Sequence, residues 1–458
     1  METSTFHHAL KIQSEVCIGC AHCMRVCPTE ALRVKGGKAR LQSNRCIDCG
    51  ECYRVCPTGA IMVEQDDFNS IFNFRYRVAL VPSVLLAQYP EDVSVEMVIQ
   101  ALLRIGFTKV AIVEDSVDYL ITRINNYIIT NPNRKPIISS FCPAIVRLVQ
   151  VRFPWLVGNI MLVKPPIDLT SSFIRKKLTK EGIPQQEVGI FYITPCAAKI
   201  AAVKSPEGED VSEIDGVINM DLIYNRTLHD IRSGGTKQSV ENGVANLSPK
   251  SITWALTGGE ALSIEGKSLA IDGISNVIEF LERMETNEVY GVDFLELRAC
   301  DESCAGGILT VGNSFLTAER LRKQARYIPE SKTGLLSQVK ISEYGDMLKG
   351  RVGLSRLEPR SIVKLDDSMV KAMSKMERAN KYLCYLPGID CGVCGAPSCQ
   401  ALAEDIVQGE GFLSQCVFLQ KIMEQNKLDP KHSFRIMKKI WGENRFTKDC
   451  DKPKRKKM

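Results

Sequence analysis

The sequence predicts an α/β protein whose large central domain carries a small cysteine-rich domain on either side. Three observations predict it. Through the middle of the chain, β-branched and aromatic runs alternate with helical stretches, the pattern of a parallel sheet. Ahead of this region one cysteine motif occurs twice, and behind it four more cysteines fall between residues 391 and 416.

The chain has 458 residues, more than one core usually organises, so several domains are expected. It is 45% apolar and 24% charged, an ordinary globular balance. No apolar run approaches the ~20 residues that span a bilayer. The opening "METSTFHHALKIQSEVC" has no basic segment leading into an apolar core, so a cytoplasmic location is expected. In a reducing compartment the 18 cysteines point to metal rather than disulfides. With just 5 histidines, none paired at ligand spacing, thiolate sites are favoured, and these select iron–sulfur clusters, zinc or Cu(I). The net charge of +6 owes much to the final stretch "KPKRKKM", read as a solvated tail; nucleic-acid binding is not expected.

The first domain, residues 1–68, holds the repeat. "CIGCAHCMRVCPTEAL" (Cys17, Cys20, Cys23, Cys27) recurs as "CIDCGECYRVCPTGAI" (Cys46, Cys49, Cys52, Cys56). Each copy has the C-x₂-C-x₂-C-x₃-C-P spacing of two-cluster bacterial ferredoxins, in which the fourth cysteine serves the other cluster. Cys17, Cys20, Cys23 and Cys56 are therefore assigned to one 4Fe–4S cluster, and Cys46, Cys49, Cys52 and Cys27 to a second. The repeated spacing argues against a pair of zinc ribbons. His22 is read as a loop residue beside sulfur.

In the central domain, residues 69–350, "KPIISSFC", "EVGIFYITPC" and "FLELRAC" read as buried strands, and "PAIVRLVQVRF" and "AAKIAAVK" as helices. Cys142, Cys196, Cys300 and Cys304 all follow strands. Ligands of parallel α/β folds gather at the carboxyl ends of strands, so the four thiols can converge on one site. Residues 351–380 read as a linker that turns into an amphipathic helix. Residues 381–425 hold Cys391, Cys394, Cys399 and Cys416, a fourth 4Fe–4S set for which zinc is the alternative occupant. Gly392 and Gly395 are expected to bring backbone N–H groups to sulfur, and "CQALAEDIV" to open a helix on the cluster. Residues 426–458 read as a short helix and the basic tail. Cys384 and Cys450 have no cluster-like partners.

The scattered cysteines sit in segments that resemble the three signature segments of FeFe-hydrogenases: "SSFCPAI" (139–145), "TPCAAK" (194–199) and "RACDESCAGG" (298–307), with "VPSV" (81–84) similar to a strand end beside the active centre. The terminal cysteine domain resembles that of corrinoid iron–sulfur proteins. The hydrogenase resemblance implies an H-cluster. Cys142, Cys196, Cys300 and Cys304 would hold a 4Fe–4S cubane, and Cys304 would bridge it to a di-iron subsite carrying CO, cyanide and a dithiolate. Lys199 would donate to one cyanide, Pro82 and Ser83 would border the other, and Gly306 and Gly307 would leave room for the bulk. Three further 4Fe–4S clusters would complete the set. Implied partners are H₂ and protons, ferredoxin or another redox partner, a signalling protein, and the hydrogenase maturation proteins.

The sequence departs from high-turnover members of that family at the proton relay. Phe141 stands where they carry a cysteine, Ala202 where they carry a glutamate and Arg298 where they carry a methionine. "DSVDYLITRINNYI" lacks their paired glutamates; Asp301, Glu302 or water are the candidate substitutes. These departures, with the extra cluster domain, resemble the sensory branch called group D, which implies slow interconversion of H₂ with protons and electrons in an anaerobic setting. The competing readings are a non-catalytic iron–sulfur protein without the di-iron unit, as in cluster assembly, and a bulk metabolic hydrogenase.

Overall fold

Strand Val188–Thr194, "VGIFYIT", is buried at every residue. A strand that is apolar on both faces must be covered on both faces, which is the environment of a parallel sheet. In the computed structural model it lies inside a four-stranded parallel sheet, in the order Lys109–Ile112, Tyr76–Val81, Val188–Thr194, Gly216–Asn219. A second, three-stranded parallel sheet runs Ser268–Ile271, Phe294–Leu297, Ile137–Ile138. The structure describes residues 6–234, 247–285, 291–328, 330–360, 368–425, 435, 439–440 and 442. Cys450, the basic tail and most of 426–458 lie outside them.

The α/β architecture is thus observed. Helices Pro143–Arg152 and Ala197–Lys204 follow their strands directly. The first starts on proline, whose fixed φ suits the first helical position. The strand in "KPIISSFC" is short, Ile137–Ile138, because Ser139 and Ser140 turn their hydroxyls to Glu260 Oε2 (2.6 Å) and the Val163 carbonyl (2.7 Å).

The chain divides into two compact units. One comprises Met1–Ala9, Ile47–Gly50 and Val63–Arg360, and contains both parallel sheets. Residues just past 350 stay with it: the Lys164 N–H donates to the Val352 carbonyl (2.9 Å) and the Leu354 N–H to that of Leu162 (3.1 Å).

The other unit comprises Leu10–Cys46, Glu51–Met62 and Ser361–Met458. It contains the antiparallel hairpin Leu32–Lys35/Lys38–Leu41 and helices Met369–Leu383, Cys399–Val407 and Val417–Gln425. Ser398 caps "CQALAEDIV" by accepting from the Ala401 N–H. A small core of Ala379, Leu386, Ala401, Leu402 and Val407 holds these helices together. The hairpin is tied to them within the same unit. The Val34 N–H donates to the Gly395 carbonyl (2.8 Å), and buried Arg33 pairs with buried Asp405 (2.9 Å). Gly395 has φ +87°, and a Cβ there would strike the Val34 carbonyl, so this glycine serves close approach to the hairpin. His22 opens the short helix His22–Val26 rather than lying in a loop, and Cys384 is exposed just after Met369–Leu383.

Candidate metal centre and active site

The strand ends of both parallel sheets carry the marked residues. Cys142 follows Ile137–Ile138 and caps helix Pro143–Arg152; Cys196 follows Val188–Thr194 and caps helix Ala197–Lys204. Helix N-termini favour a thiolate over a thiol. Cys300 follows Phe294–Leu297, and its carbonyl accepts from the Ser303 N–H to close the turn that presents Cys304. Glu302 and Ser303 hold that turn with φ of +55° and +54°, a conformation disfavoured for side-chain-bearing residues. Gly306 and Gly307 face backbone rather than a cavity. A Cβ on the first would strike the Asp301 carbonyl and on the second the Pro195 carbonyl. Gly306 lets the third segment's turn close on itself, and Gly307 lets that segment close onto the second.

Electrostatics shows which thiols share a space. Burial pushes the Cys196 thiol up to about 12; Lys199 pulls it down, while Cys304 and Cys142 push it up. Lys199 is 7% exposed, and its Nζ lies 3.4 Å from Cys304 Sγ. Burial opposes its charge, yet Cys304, Tyr192 and Cys196 hold the ammonium well above the ordinary lysine range. Lys199 also sits 4.7 Å from the Phe141 ring centroid. Pro82 precedes helix Ser83–Leu86 at the end of Tyr76–Val81. The Ser83 N–H donates to Glu114 Oε2 (2.9 Å), and its hydroxyl to the Ile252 carbonyl (3.4 Å). The Glu302 carboxylate pairs with Arg322 (2.9 Å), and Asp301 is exposed. A cavity of about 70 Å³ reaches Ser140, Phe141, Lys199 and Ala202, and Asp168 stands in its wall.

The other cysteines gather as well. Burial pushes the Cys23 thiol up to about 12, with Cys20, Cys17 and Cys56 adding to the rise. Burial likewise raises Cys52, and Cys27 contributes next. Cys394 is pushed up to about 11 by burial, with Cys391, Cys416 and Cys399 adding to it after its bond to Ala396 lowers it. Cys46 is buried and Cys49 half-buried.

Residues 77–225 match the family model described as "Iron only hydrogenase large subunit, C-terminal domain". This part of the chain is similar to the iron-only hydrogenase family. Residues 9–57 match a 4Fe-4S dicluster domain and residues 386–418 a putative Fe-S cluster domain. An uncharacterized protein of Methanocaldococcus jannaschii is 33% identical over 81 residues, 18% of this chain; the match spans about a third of that protein, 36% of its length. Among solved structures, a FeFe-hydrogenase studied for stepwise H-cluster assembly has a TM-score of 0.49 at 15% identity, over 65% of this chain and 97% of that one. A FeFe-hydrogenase variant from Chlamydomonas reinhardtii has a TM-score of 0.47 at 16% identity, over 62% and 94%. Among the described residues no helix is long and apolar enough to cross a membrane.

The region around Cys142, Cys196, Cys300 and Cys304 suits an iron–sulfur group. The Cys196 thiol, which burial disfavours as an anion, is relieved when a metal binds the sulfur and displaces its proton. Tyr192 OH and Arg298 Nη1 are buried without a partner among the described residues, and both feel Cys304. Such orphaned donors ask for an acceptor that the polypeptide does not supply.

Glu114 was not singled out in the sequence, although it stands just ahead of the stretch searched for paired glutamates. It is 1% exposed. Burial pushes its carboxyl up to about 7 against the pull of the Ser83 N–H and Lys199. The folded protein thus keeps a proton that the unfolded chain, with a carboxyl near 4.5, has released. Stability therefore falls as pH rises through that window. Between its two ends this amounts to roughly 3 kcal/mol. Glu114→Gln is expected to lose that much less than the parent in denaturant titrations at the two pH values. Equal losses in both proteins would show that Glu114 does not hold the proton.

Proposed function

We propose that the chain is a low-turnover FeFe-hydrogenase. It interconverts H₂ with two protons and two electrons at the site of Cys142, Cys196, Cys300 and Cys304, and it reports redox state through its 4Fe–4S clusters to a regulatory partner. The observation that carries this reading is the Lys199 ammonium 3.4 Å from Cys304 Sγ. A cluster that only relays electrons is complete with four thiolates; a buried ammonium held beside one of them suits a further anionic ligand at that sulfur. The bound H-cluster supplies the chemistry of H₂. Lys199 supplies a fixed compact charge for an anionic ligand, the Ser83 and Pro82 turn supplies a wall, and burial keeps water out. Two features support sensing over bulk turnover. Phe141 is 6% exposed, and its ring, which neither donates nor accepts a proton, lines the cavity that reaches Lys199. Ala202 lines the same cavity and is equally inert. A cytoplasmic location fits the reduced state these thiolates require.

The test is to load the full chain with a synthetic di-iron complex and record its infrared spectrum. CO and cyanide bands are expected, with slow H₂ oxidation by an artificial dye. Intact 4Fe–4S signals without those bands would instead identify a non-catalytic iron–sulfur protein.

A further inference from the structure

Arg298, just ahead of Cys300, is 1% exposed. Its charge is balanced by two equally buried carboxylates. Nη2 donates to Glu260 Oε2 (2.8 Å) and Nε to Glu296 Oε1 (3.2 Å). Both carboxylates are fixed in turn. Ser139 Oγ donates to Glu260 at 2.6 Å. Glu296 accepts from the N–H groups of Gly258 (3.0 Å), Glu260 (3.0 Å) and Ala261 (2.8 Å). The guanidinium lies 3.8 Å from the Phe141 ring centroid, on the ring that Lys199 also contacts.

One part of this network is incomplete. Arg298 Nη1 is buried and has no partner among the described residues. Beyond the two glutamates, the charges that act on this arginine are those of Cys304 and Cys142, so it borders the thiol site. Arg33 and Arg147 also keep a buried donor without a partner among the described residues, but Arg298 has cysteines of the thiol site among the charges acting on it, and a buried donor there costs free energy until an acceptor meets it.

We infer that Arg298 Nη1 donates a hydrogen bond to an anionic acceptor on the group held by Cys142, Cys196, Cys300 and Cys304, making Arg298 a second cationic positioning residue beside Lys199. The inference rests on the reading that those cysteines hold a cluster. The acceptor is either a sulfur of the cubane or a cyanide of the di-iron subsite. Both are soft anions, and a planar guanidinium held by two carboxylates presents its remaining N–H groups in a fixed direction.

Two variants test it in the full chain. Arg298→Lys keeps the charge and loses the fork. Arg298→Met combined with Glu260→Gln removes the donor without leaving Glu260 as an uncompensated buried charge. In protein reconstituted with 4Fe–4S clusters alone, the site cubane is followed by EPR during a redox titration. The double variant, whose net charge matches the parent's, should be harder to reduce, because the donor that stabilises added electron density on the cubane is gone. Arg298→Lys should fall between the two if the acceptor is a cubane sulfur. After di-iron loading, a shift of the cyanide bands in Arg298→Lys, with the cubane potential unmoved, assigns the donor to cyanide. An unchanged potential together with unchanged cyanide bands in Arg298→Lys overturns the inference, and this variant decides the case if the double variant does not fold. Failure of the parent itself to form a site cubane strikes the underlying cluster reading, a different result from a cubane that forms and ignores Arg298.

Discussion

Cys304→Ala is expected to remove every CO and cyanide band from the di-iron-loaded protein. The side chain stands on a turn held at positive φ by Glu302 and Ser303, and its sulfur is the one that Lys199 Nζ reaches at 3.4 Å. In the proposed arrangement this thiolate would be the covalent link between the polypeptide and the di-iron subsite, and alanine at this position offers no ligand atom. On the same reading the cysteines of the repeat and of 391–416 would hold other clusters, and their iron should stay. Iron analysis and EPR check that half of the expectation, infrared the other half. Bands of parental frequency and intensity in the variant would falsify the bridging role.

Lys199→Ala should come next in size. Its ammonium is held charged inside the protein, and a preorganised donor in a site closed to water is worth far more than one at the surface. Removing one such donor typically costs about 10²–10³ in turnover. We expect a loss of that order in dye-coupled H₂ oxidation, normalised to di-iron content by infrared. Lys199→Arg should not restore it. The lysine presents a compact point charge 3.4 Å from Cys304 Sγ, and a longer planar fork does not reproduce that placement. Unchanged turnover per loaded site in Lys199→Ala would mean that the ammonium only balances the charge of the thiolates.

Both expectations begin in what was legible from sequence. The α/β class followed from buried runs such as "VGIFYIT", whose apolar residues on both faces required a covered parallel sheet. The cysteines of the first and second signature segments were marked because each ends an apolar run, and each does cap a helix after a strand. Glu114 was missed because a carboxylate beside a hydrophobic strand looks like any surface acid until its burial is known. The glycines of the third segment were understood for the wrong reason. Their Cβ positions point at the backbones of Asp301 and Pro195, contacts that spacing alone does not reveal.

By itself, then, the sequence determined the number and local spacing of the thiolates, the class of the fold and the place of the thiols at strand ends. These depend on residues a few positions apart and on periodicity, which are written directly into the chain. The tertiary structure alone decided which charges meet. Lys199 and Cys304 are 105 residues apart, and Ser139 and Glu260 are 121 apart. Whether Glu114 keeps its proton, whether Lys199 stays charged and whether Arg298 has a donor to spare all depend on removal from water. Burial sets the cost of each charge, and it exists only once distant segments have closed around the site.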